Sequence, residues 1–313
     1  MKLQTTIPLK AKNNPIDYTS KVLVLGSCFA EHMGGKLEYF KFQKMQNPFG
    51  IVFHPLAIEC LVKRAVTNQF FTEADVLERN GQWFSFEAHS TVTSDTKEGL
   101  VALLNSRLEQ FSAYLSEASH IIFTYGTAWV YRHMDLDCVV ANCHKIPQKN
   151  FSKELLSVGE VSASLERTAQ LISEVNPLAI SITTVSPVRH FKDGFVENML
   201  SKSHLIAGFH HFNNSQSHYF PSYELMMDEL RDYRFYEEDM IHPNPTAITY
   251  IWEKFKLVWI ASETEQLQNE IDSIQKGLKH RAFNPNSNTH LKFQQNLQQK
   301  IEKVQKELPF VKF

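Results

Sequence analysis

Two short segments of the chain carry the side chains best suited to covalent chemistry. The first is Gly26-Ser27-Cys28-Phe29-Ala30, in which two adjacent residues are potential nucleophiles. The second contains Asp239 and His242. A carboxylate three residues before a histidine can fold back onto the imidazole, fix its tautomer and stabilise the cation that forms when the ring accepts a proton. Such a histidine is the base that a nucleophile requires, so the two segments predict nucleophilic catalysis.

The elements around the first segment place it at the end of a strand. Residues 21–25 (KVLVL) form a short apolar run, and residues 29–40 have helical spacing, which predicts a strand, a tight turn and a helix. Ligands bind outside the carboxyl ends of the strands in an open parallel sheet, so this turn faces the expected site. Cys28 at the helix N-terminus is expected to be favoured as the thiolate. The alternative is that Cys28 is a buried apolar side chain.

Helices and apolar strands alternate up to about residue 260. We predict strands over 120–126, 178–183 and 219–225, and helices over 55–65, 96–116, 160–175 and 246–260. This alternation predicts an α/β fold with a parallel sheet. Residues 263–279 and 291–308 predict a C-terminal helical hairpin, which offers a candidate homodimer contact. We therefore divide the chain into a catalytic domain, 1–260, and a helical extension, 261–313.

The composition excludes several classes of function. The 313 residues contain 32 Lys+Arg against 34 Asp+Glu, which argues against a broad nucleic-acid-binding face. No apolar run approaches the roughly 18 residues of a membrane span, and the N-terminus lacks the apolar core of a signal peptide. Four cysteines are too sparse for a disulfide framework. We expect a cytoplasmic protein with no membrane or nucleic-acid partner.

Further polar residues are expected near the site because of where they follow the strands. Arg189 and His190 come after the 178–183 strand and could meet an anionic or sugar substrate. His144 is expected to line the pocket, and its spacing from Cys138 and Cys143 is also compatible with a metal site, although a second pair of ligands is missing. The segments 127–160 and 186–220 are interpreted as long loops that determine specificity.

The two chemical segments together resemble the SGNH, or GDSL-type, hydrolase superfamily, and GSCFA at residues 26–30 matches the motif after which the GSCFA family is named. The resemblance covers roughly residues 1–260. It implies a flavodoxin-like three-layer α/β/α sandwich with a five-stranded parallel sheet.

The resemblance also implies roles for individual residues. Aligning the glycine of the superfamily's G-D-S block with Gly26 makes Cys28 the nucleophile, with Ser27 as the alternative. Asp239 and His242 fall on the D-x-x-H block. The oxyanion hole would use the backbone N–H groups of Cys28 and Gly50.

The third block of the superfamily is G-x-N, and here the sequence departs from the pattern. Gly126-Thr127-Ala128 has alanine where the oxyanion-hole asparagine stands, so Thr127 or Asn142 would supply the missing donor. Asn47, the first residue of the NPFG segment, joins the substrate-binding candidates His144, Arg189 and His190.

The implied function is an acyl-ester hydrolase or acyltransferase that acts on a small-molecule or carbohydrate acyl substrate and needs no cofactor or metal. The alternative is a non-catalytic ligand-binding module on a degenerate SGNH fold.

Overall fold

The structure is a computed structural model that describes residues 4–212, 214–284 and 287–313. The strands are β1 (Lys21–Gly26), β2 (Gln43–Gln46), β3 (Leu77–Arg79), β4 (Gln82–Phe84), β5 (His120–Tyr125), β6 (Trp129–His133), β7 (Cys138–Val140), β8 (Phe151–Leu155), β9 (Ile180–Val185) and β10 (Ser217–Tyr219). The α-helices are α1 (Cys28–Tyr39), α2 (Pro55–Thr67), α3 (Lys97–Glu117), α4 (Val158–Val175), α5 (Phe195–His211), α6 (Ser222–Glu224), α7 (Pro245–Trp259), α8 (Glu265–Lys279) and α9 (Asn288–Glu307). Helix α6 continues as a π-helical turn over Leu225–Glu229.

The central sheet has five parallel strands in the order β10-β9-β5-β1-β2. This confirms the predicted α/β class and the parallel sheet. Side chains of β1 alternate between its two faces, with Leu23 and Leu25 in one hydrophobic cluster and Val22 and Val24 in the other. Both faces of the sheet are covered by helices, which explains why β1 is apolar along its whole length.

The helices form a layer on each side of the sheet. Helices α2, α3, α4 and α5 contribute to the cluster that contains Leu23, while α1, α7, α8 and α9 contribute to the cluster that contains Val22. The arrangement is the three-layer α/β/α sandwich that was expected. The carboxyl ends of β1, β5 and β9 therefore meet at one edge, between the two helical layers.

The segment 127–160 is not a long loop, and that prediction was wrong. It contains a small antiparallel sheet in the order β7-β6-β8. These strands are short and carry polar residues among the apolar ones, as in the Arg132–Glu154 ion pair across β6 and β8, so no continuous apolar run marks them.

The segment 186–220 is not a long loop either, because it contains helix α5. In most amphipathic helices the apolar residues are buried and the polar residues are exposed, and α5 partly reverses this arrangement. Phe195 and Val196 are exposed, whereas Asn198, Ser201 and Lys202 are buried. The strand predicted over 219–225 was misplaced, since β10 covers Ser217–Tyr219 and the chain is helical from Ser222.

The predicted C-terminal helical hairpin is present as α8 and α9, which pack onto the outer face of α1 and α7. Tyr39 at the end of α1 donates a hydrogen bond from its hydroxyl to Asp272 Oδ1 at 2.8 Å. The division of the chain at residue 260, the homodimer contact and the cytoplasmic location stay predictions. None of the helices in the described ranges is both long and apolar enough to span a membrane.

Candidate active site

The turn that follows β1 is held tightly against the end of β5. Gly26 has a φ of +137°, and a Cβ at this position would lie 2.2 Å from the carbonyl oxygen of Thr124. The same carbonyl accepts the N–H of Ser27 at 3.0 Å. Only glycine fits a backbone approach this close, so the glycine of the GSCFA motif is required by the fold.

Ser27 is the N-cap of helix α1. Its hydroxyl oxygen accepts the N–H of Phe29 at 3.3 Å, and the residue is only 1% exposed. This is the ordinary role of serine at a helix start. The contact shows a structural function for Ser27, whereas Cys28, the next residue, is the first residue of α1 and is half-buried.

The surroundings of Cys28 differ from the sequence expectation. Burial raises the pKa of its thiol, and the positive charge of Lys202 and the N–H of Phe29 oppose this effect without cancelling it. The helix N-terminus favours the thiolate through the N–H of Phe29, as expected, but the loss of hydration outweighs this contribution and that of Lys202, so the net shift of the pKa is upward.

Asp239 and His242 form the hydrogen bond that their spacing predicts. His242 Nδ1 lies 2.6 Å from Asp239 Oδ2, and Asp239 Oδ1 accepts the backbone N–H groups of Ile241 and His242 at 2.8 and 3.0 Å. The backbone N–H of His242, its ring and the N–H of Ile241 lower the pKa of Asp239 to about 2. The carboxylate is thus ionised and orients the imidazole so that Nε2 is left for chemistry.

His190 lies within electrostatic reach of His242. Its backbone N–H donates to Asn198 Oδ1 at 2.8 Å, its ring stacks on Phe53, and its Nε2 is buried with no hydrogen-bond partner among the described residues. Burial lowers the pKa of His190 to about 3, and the charges of Lys202 and His242 add to the effect. His190 therefore lies close enough to His242 for their charges to interact. Its position after β9 puts it at the carboxyl edge of the sheet, as expected, and its role in substrate binding stays a prediction.

Two residues near the site were missed by the sequence interpretation. Lys202 on α5 is fully buried, and it interacts electrostatically with both Cys28 and His190. His32 lies one helical turn after Cys28, and burial and the charge of His242 lower its pKa. The spacing of four residues on a predicted helix could have revealed His32, whereas the position of Lys202 in an unrecognised helix left no sequence signal.

Comparison with known families settles where the chain belongs. The GSCFA family model matches residues 21–255, which is more than half of the chain. The chain belongs to the GSCFA family. A second model, described as the C-terminal domain of GSCFA domain proteins, matches residues 271–313, which include most of α8 and all of α9. A search of curated proteins gave no significant match.

In this GSCFA protein the NPFG loop is bonded directly to the GSCFA turn. Asn47 Oδ1 accepts the N–H of Gly26 at 2.9 Å, and Asn47 Nδ2 is buried with no hydrogen-bond partner in the described part of the chain. The N–H of Gly50 donates to the Asn47 carbonyl at 2.8 Å. Gly50 can serve in an oxyanion hole only if this hydrogen bond is shared or broken, and its role there stays a prediction.

The side chains of Thr127 and Asn142, the other candidate donors, accept hydrogen bonds from nearby backbone N–H groups. The Thr127 hydroxyl hydrogen-bonds with Ser201 Oγ at 2.9 Å and accepts the N–H of Trp129. Asn142 Oδ1 accepts the N–H of His144 at 2.8 Å. The His144 ring lies between the carbonyls of Ser85 and Ala88 and stacks on Phe84. These contacts bond the side chain of Asn142 to the backbone of His144 and pack the His144 ring against residues 84–88.

Arg189 lies beside the loop that carries the Asp–His pair. Its backbone N–H donates to the carbonyl of Ile241 at 3.2 Å, and its guanidinium lies 3.9 Å from the ring centre of Phe191 and 5.3 Å from that of Tyr236. The arrangement leaves a cation stacked between aromatic rings next to His242, where it could meet a polar substrate group.

The metal site considered at Cys138, Cys143 and His144 has no set of ligands in the described part of the chain. Cys138 and Cys143 are half-buried free thiols that pack against a hydrophobic cluster of Phe84, Phe86, Val140 and Phe151. Across residues 4–212, 214–284 and 287–313, no group of three or more His, Cys, Asp or Glu side chains is arranged to hold a metal ion.

Proposed function

We propose that this GSCFA protein cleaves an acyl ester through a thioester on Cys28, with His242 as general base and acid and Asp239 as its orienting carboxylate. The observation that carries the proposal is the Asp239–His242 hydrogen bond, in which the second carboxylate oxygen is fixed by two backbone N–H groups. The resemblance to SGNH hydrolases supports the same assignment, since it places the three residues on the nucleophile and D-x-x-H blocks of that superfamily.

The reaction proceeds in two acyl transfers. In the first, Cys28 Sγ forms a bond to the ester carbonyl carbon while its proton passes to His242 Nε2, and the carbonyl oxygen becomes an oxyanion. The oxyanion then collapses, the bond to the leaving oxygen breaks, and His242 returns its proton to that oxygen. In the second transfer, water or a sugar hydroxyl loses a proton to His242 and attacks the thioester carbonyl carbon. The C–S bond then breaks, and His242 returns its proton to Cys28 Sγ.

The described residues include no hydrogen bond between Cys28 and His242. Catalytic hydrogen bonds are often long in the absence of a ligand and tighten when the substrate is bound, so this geometry is compatible with the reaction. The backbone N–H of Cys28 and the unpartnered Asn47 Nδ2 are the donors best placed, by their bonding to the same turn, to meet an oxyanion.

The test uses an activated ester, p-nitrophenyl acetate, and three variants. Cys28→Ala and His242→Ala are each expected to lower kcat/KM by about 1,000-fold or more, because residues that act as one unit fail together. Ser27→Ala is the matched control beside the nucleophile and should retain turnover. In His242→Ala, peptide mass spectrometry after digestion checks whether the peptide that contains Cys28 carries an acetyl group.

The outcomes separate the alternatives. Full activity of Cys28→Ala together with loss of activity in Ser27→Ala would move the nucleophile to Ser27. The burial that raises the pKa of Cys28 favours a second function, in which the same pocket only binds an acyl compound. Absence of both turnover and acetylation in the wild-type protein would support that binding function and refute the enzyme.

A further inference from the structure

The solvent side of helix α5 carries an apolar surface that the proposed reaction does not use. Four large apolar side chains there are between 43% and 75% exposed, and we call them the apolar face of α5: Phe195, Val196, Met199 and Leu200. Their spacing of one, four and five residues puts them on one side of the helix. Side chains exposed to this degree present roughly 400 Å² of apolar surface, the size at which a patch on a single protein is often functional.

The buried side of α5 explains why these residues face outwards. Ser201 Oγ accepts the backbone N–H of Ala128 at 2.7 Å. Lys202 Nζ donates to the carbonyls of Gly126 and Ser186, both at 2.7 Å. The buried side of the helix is therefore polar because it bonds the chain that follows β5 and β9. These contacts place α5 at the carboxyl ends of the strands, the edge at which β1 leads into the GSCFA turn.

Contacts between side chains join the apolar face of α5 to the loop that carries His242. The ring centres of Phe195 and Phe191 are 4.1 Å apart, and the guanidinium of Arg189 lies 3.9 Å from the ring centre of Phe191. The backbone N–H of Arg189 donates to the carbonyl of Ile241 at 3.2 Å. The contacts therefore run without a break from Phe195 to the residue before the proposed base.

The size and charge of the apolar face of α5 favour an acyl chain as its occupant. Each partner in a stable protein–protein interface covers about 800 Å², roughly twice the area exposed here. Residues 195–200 contain no Lys or Arg, and Glu197 among them disfavours an anionic lipid surface. An acyl chain is neutral and apolar, and a chain attached to a carbonyl held beside His242 would reach α5 over Phe191.

We propose that the apolar face of α5 binds the acyl chain of the ester that Cys28 attacks, which makes the substrate an ester of a medium-length fatty acid. The inference rests on the proposed function in placing the ester carbonyl between Cys28 and His242. Burial of one methylene group raises affinity about fourfold when it is complete and about twofold when one side of the chain stays in water. The six methylene groups that distinguish an octanoyl from an acetyl ester are therefore expected to raise kcat/KM by about 10- to 60-fold.

The first experiment compares kcat/KM for p-nitrophenyl octanoate and p-nitrophenyl acetate, below the concentration at which the octanoate ester forms micelles. In the double variant Phe195→Gln/Val196→Gln, the ratio of octanoate to acetate should fall at least about fivefold, because the chain loses its most exposed apolar contacts. Both residues are exposed and glutamine favours helices, so the variant is expected to fold. Leu178→Gln is the matched control, since Leu178 is 83% exposed but lies at the amino end of β9, on the opposite edge of the sheet.

The wild-type ratio and the ratio in the double variant decide the outcome. A wild-type ratio below about threefold, or an equal ratio in the double variant, would overturn the inference. Sedimentation velocity of both proteins tests for a second copy of the chain as the occupant. A wild-type dimer that becomes monomeric in the double variant, with an equal ratio, would assign the apolar face of α5 to contact between copies and would also overturn the inference.

A second measurement needs no turnover. Protein labelled with ¹³C-methyl methionine is titrated with sodium octanoate, and with sodium acetate in parallel. The methyl resonance of Met199 should shift and saturate with octanoate only, whereas that of Met45 on β2 should stay in place. Absence of a saturable shift at Met199 would refute the inference. Such a shift in a protein without ester turnover would refute the proposed function alone, and would leave the apolar face of α5 as a binding site for an acyl chain.

Discussion

The substitution Asp239→Asn tests the Asp–His pair with little change in shape. The amide oxygen can still accept the N–H groups of Ile241 and His242, which hold the loop. The amide nitrogen would then donate to His242 Nδ1 at the position where Asp239 Oδ2 now lies. This stabilises the tautomer that carries its proton on Nε2, which is unable to accept the proton of a nucleophile.

The size of the effect follows from the exposure of the pair. The side chains of His242 and Asp239 are 40% and 43% exposed, so their environment lies between water and the protein surface. Opposite charges about 4 Å apart attract by about 1 kcal/mol in water and by about 4 kcal/mol at the effective dielectric constant near a protein surface. Since about 1.4 kcal/mol corresponds to a tenfold change in rate, we expect kcat/KM to fall by about 5- to 1,000-fold.

The assay is hydrolysis of p-nitrophenyl acetate, with the thermal unfolding of each variant measured in parallel. Asp232→Asn is a matched control, since Asp232 also holds a backbone N–H and a cationic side chain, those of Arg234, but has no imidazole partner. That variant should keep its activity. A loss of less than about threefold in Asp239→Asn, with Asp232→Asn unchanged, would refute the reasoning, because it would lie below the value expected even for full exposure to water.

Two further predictions concern the fold. Gly26→Ala should lower the free energy of unfolding by about 3 kcal/mol or more, because the added methyl group would clash with the Thr124 carbonyl and the backbone would keep a positive φ. Urea denaturation measures this free energy, and a loss below about 1 kcal/mol would contradict the prediction. Burial raises the pKa of Asp75, but hydrogen bonds from Thr72 and Arg64 lower it by more than burial raises it, so the pKa is below the ordinary 3.8. The contribution of Asp75 to stability is complete above the pKa of the unfolded state and is lost as pH falls through the pKa of the folded state. Between about pH 5 and pH 2, the free energy of unfolding measured with urea should therefore fall more steeply for the wild type than for Asp75→Asn. Equal dependence on pH in the two proteins would argue against this role.

The elements that can be predicted from the sequence are those in which buried residues follow one another along a strand or along one face of a helix. Strands β1, β5 and β9 are covered on both faces. β1 and β5 are mainly apolar, β9 combines Ile and Val with Ser and Thr, and α3 carries a leucine stripe towards the core. Strand β2 is an edge strand of residues QKMQ, half-buried along its length, and nothing in its composition marks it. Helix α5 was missed because its buried face carries polar residues, an arrangement that only the complete structure explains.

Some residues of the candidate site could likewise be predicted from the sequence, and others could not. Cys28, Asp239 and His242 were identified because their chemistry depends on local sequence, as a turn after a strand and as a three-residue spacing. The oxyanion donors depend on contacts between distant segments, such as the bond from Gly26 to Asn47, and no local pattern reports which N–H groups remain unpaired. The same limit applies to Lys202, which reaches Gly126 and Ser186 across long separations in the sequence.

The packing of the C-terminal helices bears on how the protein can be cut for experiments. Ile271 and Ile274 on α8 and Val304 on α9 belong to the same hydrophobic cluster as Phe29 and Met33 of the helix that begins with Cys28. A chain that stops near residue 260 would open this cluster to water and loosen the support of α1. Loss of activity in such a truncated protein would then report damage to the helix that begins with Cys28 and would say nothing about a catalytic role of the removed segment.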